Sequence, residues 1–360
     1  MSKNLIFKKI NNYIFNIKKD KKINKFLYLI YSFTRYYFLR LINFLKVRID
    51  ENIFLYPTQL IFPSIIYHKK LDKVKLKTPN KKIIKNSFSG RILIDHGIVK
   101  AEIQDNWLLD SSDEEISYLP RRLFWLIYEL TKLNNPNITL LDNYLNKFIS
   151  YFYDSNYIKY LPPYILSECI SNIILFNRAK NKSWIIKDNF HNNFAILACK
   201  SLVSNIEFRG SFSTCNHLIN NFRALYLSSR LIQRNKDNSF FLVFWEKIKK
   251  KVFIKSGKIA DGSVHYHFLI TRWLFEICIC AYELNDYEIL NKVNPYLKSN
   301  LEIVGYLSRA DVLPLFGDLS PDCPVEWLLP IANYVKESCP YSAVGNGTKG
   351  WDRIWSFENF

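Results

Sequence analysis

Between residues 113 and 306, apolar side chains return every three or four positions almost without interruption, and that spacing is the period of an α-helix. The apolar segments fall at about 114 to 133, 138 to 154, 163 to 179, 184 to 205, 216 to 234, 239 to 254, 264 to 284 and 287 to 306. Short polar links divide them. Asn134-Asn135-Pro136, Leu161-Pro162-Pro163, Asn181-Lys182-Ser183 and the stretch 235 to 239 combine helix stops with N-caps. Links of this length fold consecutive helices back on one another as antiparallel hairpins. Only 10 Gly and 13 Pro in 360 residues argue against a turn-rich all-β fold, and 49% hydrophobic residues argue against a disordered chain. The expected fold class is therefore mainly all-α. Such hairpins either stack openly as a solenoid or close into an α/α toroid. No repeated motif or heptad array runs through them, so the expectation is the closed form, an incomplete α/α toroid over residues 113 to 340.

The flanking segments differ in composition. Residues 51 to 112 carry Pro57, Pro63 and Pro79, a Lys-rich run over 69 to 85 and a strand-like stretch over 91 to 103, which reads as a connector with a small β-ribbon. Residues 1 to 50 hold 12 Lys or Arg against Asp20 and Asp50, and so supply more than half of the chain's net charge of +18. They read as basic amphipathic helices: either an interfacial membrane segment or docking arm, or ordinary helices packed on the main body. The most apolar stretch, 26 to 45, is broken by Arg35 and Arg40, so a spanning helix is not expected. No short apolar run ends in small residues near the start, so no cleavable signal peptide is expected; the expected location is cytoplasmic, with peripheral membrane contact through the N-terminal segment. Lys, Asn and Ile are abundant throughout, so the basic excess reads equally as compositional drift or as selected basicity. A basic surface attracts polyanions without choosing among them.

Several motifs carry no chemistry. Seven cysteines without a CxxC pair suggest neither a disulfide framework nor a zinc site, and no metal or cofactor is expected. Cys278 and Cys280 lie two apart on one helix, point in different directions, and read as core residues. Gly345-Asn346-Gly347-Thr348-Lys349-Gly350 matches GxGxxG, yet no strand leads into it and ten residues follow it, too few for a dinucleotide fold. After residue 307 the pattern breaks into loops with Pro314, Gly317, Pro321 and Pro324 before a short helix over 325 to 336 and a tail over 341 to 360.

Two segments gather proton-transferring groups where a polar loop enters a helix. Residues 210 to 224 read G-S-F-S-T-C-N-H-L-I-N-N-F-R-A, and residues 258 to 276 read K-I-A-D-G-S-V-H-Y-H-F-L-I-T-R-W-L-F-E. Asn216, His217, His265, Tyr266 and His267 then stand near helix N-termini, where backbone N–H groups and the positive helix end favour an anion. One intervening helix and its return separate the two junctions, which would bring them to the same end of the fold. The plainer alternative is that Asn216 caps a helix and the histidines are structural.

At these residues the chain resembles the heparinase II/III and alginate lyase group of polysaccharide lyases. The resemblance rests on Asn216-His217 with the following L-I-N-N-F-R-A-L-Y, on Asp261-Gly262-Ser263-Val264-His265-Tyr266-His267 with Thr271-Arg272-Trp273, and on Phe316-Gly317-Asp318-Leu319-Ser320-Pro321-Asp322. Weaker similarity runs from Trp107 through Arg122 and Trp125, and from Pro163 through Glu168 and Asn172. The resemblance implies an α/α toroid, joined to a C-terminal β-sandwich, that cleaves uronate-containing glycans by β-elimination. It implies that Asn216 and His217 hold the uronate carboxylate and stabilise the enolate-like intermediate, and that Tyr266 transfers protons at C5 and at the leaving oxygen. A tyrosine acting as base needs a nearby cation, and His265, His267 and Arg272 are the candidates. Asp261 and Trp125 complete the implied substrate contacts; Trp107, Trp273 and Trp327 are further rings that either stack on sugar or belong to the core. Where the family often has Glu before Gly262, this chain has the shorter Asp261. The chain ends at Phe360, where the β-sandwich would begin, so the expectation is a chain that is truncated, split from a separate β-sandwich partner chain, or inactive, with elimination weak or lost. The expected ligand is an acidic polysaccharide or oligosaccharide. The other reading is a non-catalytic glycan-binding or scaffolding protein in surface polysaccharide assembly. A nucleic-acid partner has only the charge in its favour and is not expected.

Overall fold

The computed structural model describes the strands 92–95 and 100–103 and residues 107–307 apart from 110, 112–113, 133–134, 156–157, 159–160, 208–214 and 230–237, together with Gly317 and Ile354. The expected N-terminal helices, most of the connector, residues 210–214 of the first motif, and the segments expected after residue 307, Trp327 included, lie outside the described residues.

The described chain is mainly helical. A two-stranded antiparallel ribbon, β1 (Ile92–Asp95) and β2 (Lys100–Ile103), pairs Ile92 with Ile103 and Asp95 with Lys100 and precedes the helices. Three short helices follow, α1 (Glu114–Ser117), α2 (Leu119–Arg122) and α3 (Phe124–Lys132). The sequence pattern predicts one continuous helix here. The structure breaks it because Pro120 lies in the first turn of α2 and Leu123 takes a left-handed conformation, φ 59°, that ends that helix. Then come α4 (Ile138–Ser155), α5 (Pro163–Asn181), α6 (Asn189–Ser204), α7 (Cys215–Ser229), α8 (Ser239–Val252), α9 (Val264–Glu283) and α10 (Tyr287–Leu307).

Burial divides these helices into two layers. In α5 every residue from Pro163 to Arg178 is buried, and in α9 every residue from Val264 to Ala281, so neither has a solvent face. The later helices of the other layer are amphipathic. α8 buries Phe240, Phe241, Phe244, Trp245, Ile248 and Val252 while Lys249, Lys250 and Lys251 crowd its last turn, and α10 buries Ile289, Val293, Leu297, Leu301 and Val304 at three- and four-residue spacing. The inner row runs α3, α5, α7, α9, each packed on the next, with α6 outside α5 and α7, α8 outside α7, and α10 outside α9. The three long inner helices run parallel, because starts meet starts and ends meet ends. Asn220 and Asn221 near the start of α7 bond to Tyr164 O and Ser167 Oγ near the start of α5, whereas Arg178 at the end of α5 pairs with Glu283 at the end of α9.

Caps set two of the boundaries. Asp188 accepts hydrogen bonds from the N–H groups of Phe190 (2.8 Å) and His191 (3.2 Å), which starts α6 at Asn189 instead of the predicted 184. Ser263 accepts from the N–H of Tyr266 at 3.2 Å and starts α9. Among the described residues, no helix is long and apolar enough to cross a membrane.

Candidate functional site at the N-terminal ends of the inner helices

The parallel inner row puts the starts of α5, α7 and α9 at one end of the molecule, and with them Tyr164, His217 and Tyr266. The His217 ring tilts against the Tyr164 ring at 4.7 Å between centroids and 37° between planes. Tyr164 in turn lies close enough to Tyr266 for the two phenols to interact electrostatically. The two sequence junctions therefore share an end of the fold, with Tyr164 between them. Gly317, from the third segment of the resemblance, packs against the same loop. Its φ is +82°, and a Cβ there would stand 2.6 Å from Ser263 Cα and 2.9 Å from the Gly262 carbonyl oxygen, so only glycine fits.

His217 is the accessible imidazole of this end, with 32% of its side chain exposed. Its Nδ1 stands 3.1 Å from Glu207 Oε1, a carboxylate that is itself 10% exposed, three residues past the end of α6. With Nδ1–H donating to Glu207, Nε2 carries the lone pair, and the ring is held in one orientation. Asn216, half-buried at the first turn of α7, accepts from the His217 N–H through Oδ1 at 3.0 Å, which leaves its NH2 end as the donor. Tyr266 is 9% exposed and meets the His265 ring edge-on at 5.5 Å. Burial pushes the Tyr164 phenol well above its ordinary range, opposed by the Arg122 guanidinium 5.0 Å over its ring and reinforced by Glu168 and Tyr266. Tyr164 stays protonated, a neutral hydroxyl.

Apart from Asp261, which stays half-buried in the loop ahead of α9, the remaining expected contacts turn inward. His267, 7% exposed, bonds through Nε2 to the Asn300 carbonyl at 3.2 Å, and burial pushes its imidazole toward the neutral form. His265 is 1% exposed. Asp261 accepts from the Ser263 N–H at 3.0 Å and shapes the turn into α9. Trp125, 1% exposed, donates Nε1–H to the Pro120 carbonyl at 3.1 Å and stacks on Trp107; Trp107 and Trp273 are core residues as well. Arg272 is fully buried and bonds Glu276 at 2.7 Å. Cys278 and Cys280 are both fully buried.

Arg272 belongs to an ionic cluster on the axis of the inner row. Glu276 also receives Arg223 Nε at 2.5 Å, Arg223 Nη1 reaches Glu168 Oε1 at 3.0 Å and Asn220 Oδ1 at 3.1 Å, and Asn172 bonds Glu168 at 3.3 Å. The Arg272 guanidinium lies 5.6 Å over the Phe124 ring, which joins α9 to α3. Arg122, 4% exposed, lies over the Tyr164 ring on the side of this cluster and pairs with Glu115 at 3.7 Å.

Sequence reasoning passed over Tyr164 and Glu207. Tyr164 carries the signal that picked out His217, a polar aromatic in the first turn of a helix; Glu207 sits outside any motif and reaches the site only through the fold. Among the described residues no group of three His, Cys, Asp or Glu is placed to hold a metal ion. No family model, curated protein or solved structure matches the chain.

Proposed function

We propose that the chain is a polysaccharide-lyase-like protein that binds a uronate-containing glycan at the shared end of α5, α7 and α9, with β-elimination as its chemistry. The observation that carries this reading is the Glu207–His217 pair beside Tyr164 and Tyr266, where the starts of three parallel helices meet. The α7 N-terminus and the Asn216 NH2 group bind the uronate carboxylate and spread the charge that develops on it. The His217 Nε2 lone pair takes the C5 proton, a role that its hydrogen bond to Glu207 prepares. The C–H electrons form the C4–C5 double bond, the C4–O bond breaks, and the leaving oxygen takes the phenolic proton of Tyr266. Tyr266 serves as acid because His267 is held neutral and Arg272 is paired with Glu276. A parallel inner row backed by antiparallel outer helices is the arrangement that an α/α toroid needs, and supports it as the enclosing shape.

The 9% exposure of Tyr266 favours a second reading, a site that holds the glycan without turnover. One experiment separates the two. Uronate-containing oligosaccharides are titrated into the full chain, and the ultraviolet absorbance of an unsaturated uronate product is followed. Asn216→Ala weakens binding in either reading. If elimination occurs, His217→Gln and Tyr266→Phe each remove about 10²–10⁴-fold of the rate and leave binding within a few fold. Binding without product supports the second reading, and failure to bind any uronate glycan overturns both.

A further inference from the structure

At the opposite end of the inner row lies a cavity of about 600 Å³, and we propose that it binds a neutral saccharide. It opens between the end of α5, the link into α6, the start of α8 and the turn from α9 into α10. Its volume lies within the range of ordinary small-ligand sites. Among the described residues five large apolar side chains are exposed, and two of them, Tyr287 (56%) and Ile185 (39%), stand at this one mouth. Their clustering gives the cavity an apolar rim where a flat face can rest.

The polar groups below the rim brace one another. Glu283 accepts from Arg178 and, at 2.7 Å, from Trp184 Nε1. Asp286 accepts from Tyr226 Oη at 2.8 Å, Asn238 Nδ2 at 2.7 Å and the Ile289 N–H at 3.3 Å. These side chains are held in fixed positions before any ligand arrives, and a Glu283 oxygen that accepts one bond has a second lone pair to offer. Charge then selects the ligand class. Glu283, Asp286 and Glu288 repel an anion, while Arg178 and Lys182 repel a cation and Arg178 offsets Glu283. A pyranose meets both demands: its hydroxyls donate to carboxylates and accept from amide and guanidinium groups, and its C–H face packs on the exposed Tyr287 ring. The inference stands apart from the lyase reading, since the two sites occupy opposite ends of the same helices.

The test titrates the full chain by calorimetry with neutral trisaccharides of glucose, mannose, galactose and N-acetylglucosamine. At least one should bind saturably at about millimolar concentration or tighter, and Tyr287→Ala should weaken it about tenfold or more. Asn238→Ala should weaken it too, and Asn216→Ala, at the other end, should leave it unchanged. Equal thermal melting of wild type and Tyr287→Ala shows that the loss is local; if that variant melts early, Tyr287→Phe, which keeps the ring, should restore both melting and binding. No binding across the panel overturns the proposal. So does binding indifferent to Tyr287→Ala, or an acidic trisaccharide or polyamine that displaces the neutral ligand at lower concentration.

Discussion

Arg223, Arg272, Glu168 and Glu276 are all fully buried, and their worth to the fold depends on each charge keeping its partner. Removing one member of such a group leaves the others uncompensated, which typically costs about 3–5 kcal/mol. Glu276 accepts from both arginines, so Glu276→Gln should lower the unfolding free energy by about that amount in urea titration. Glu168→Gln should cost clearly less, because burial already pushes its carboxyl toward the protonated form that glutamine imitates. Equal losses from the two substitutions would show that Glu168 carries a full charge. Arg272 also shows where the sequence stops being informative. It lies six residues past Tyr266 in a motif that points to sugar contact, yet α9 has no solvent face, and its arginine can only turn to a partner inside. A polar residue on an all-buried helix gives no periodic clue to its direction.

At the scale of elements, the apolar period made the starts at Ser239, Val264 and Tyr287 legible, and at the last two Ser263 and Asp286 cap the first turn. They were not legible at residues 184–188, where Trp184 and Ile186 keep the helical spacing but are buried by a non-helical link ahead of the Asp188 cap. The contact that ties α4, α5 and α6 together was equally silent, since its members are far apart in sequence. His191 of α6, with 0% exposure, meets Asn177 of α5 at 3.1 Å and Asn146 of α4 at 3.0 Å, with Asp142 4.0 Å away, Lys180 paired to Asp142, and Asp188 at its own helix start. Burial lowers its pKa, with Asp188 and Asp142 opposing. The sign follows from linkage: the unfolded chain takes up this proton near its ordinary value of about 6.5, the folded chain only at lower pH, so the stabilising share is complete above about 6.5 and is lost as pH falls below it. Wild type should therefore lose stability more steeply than His191→Gln between about pH 7 and pH 5, read as the difference between their melting curves. That difference cancels the other buried groups, His267 with the same sign and Glu168 and Glu283 with the opposite one. A flat difference would place the charge of His191 elsewhere.

Across the whole molecule, the parallel run of α5, α7 and α9 separates two kinds of chemistry by the length of a helix. One end collects helix N-termini, His217 and the Tyr164 and Tyr266 phenols; the other collects Glu283, Asp286, Glu288 and the Tyr287 ring. α7 alone has 15 residues, a span of about 22 Å and more than twice the Debye length in physiological salt. Sequence motifs pointed to the first end because its residues adjoin one another in two short segments. The second end draws on Arg178, Trp184, Asn238 and Asp286, which only the packing of hairpins brings together. If both proposals hold, the ends should respond differently to salt. Raising ionic strength should weaken uronate binding at the Asn216–His217 end, because that affinity rests on a fixed charge meeting a partly exposed site. Neutral saccharide binding beside Tyr287 should stay nearly constant, because the ligand has no net charge to screen. The double variant Asn216→Ala, Tyr287→Ala should show the sum of the two single losses within about 0.5 kcal/mol, as expected for sites more than about 10 Å apart with no shared partner. Calorimetric titration of each ligand across a salt series, with wild type and the three variants, reads both quantities, and a matching salt dependence for the two ligands would mean that they share one site.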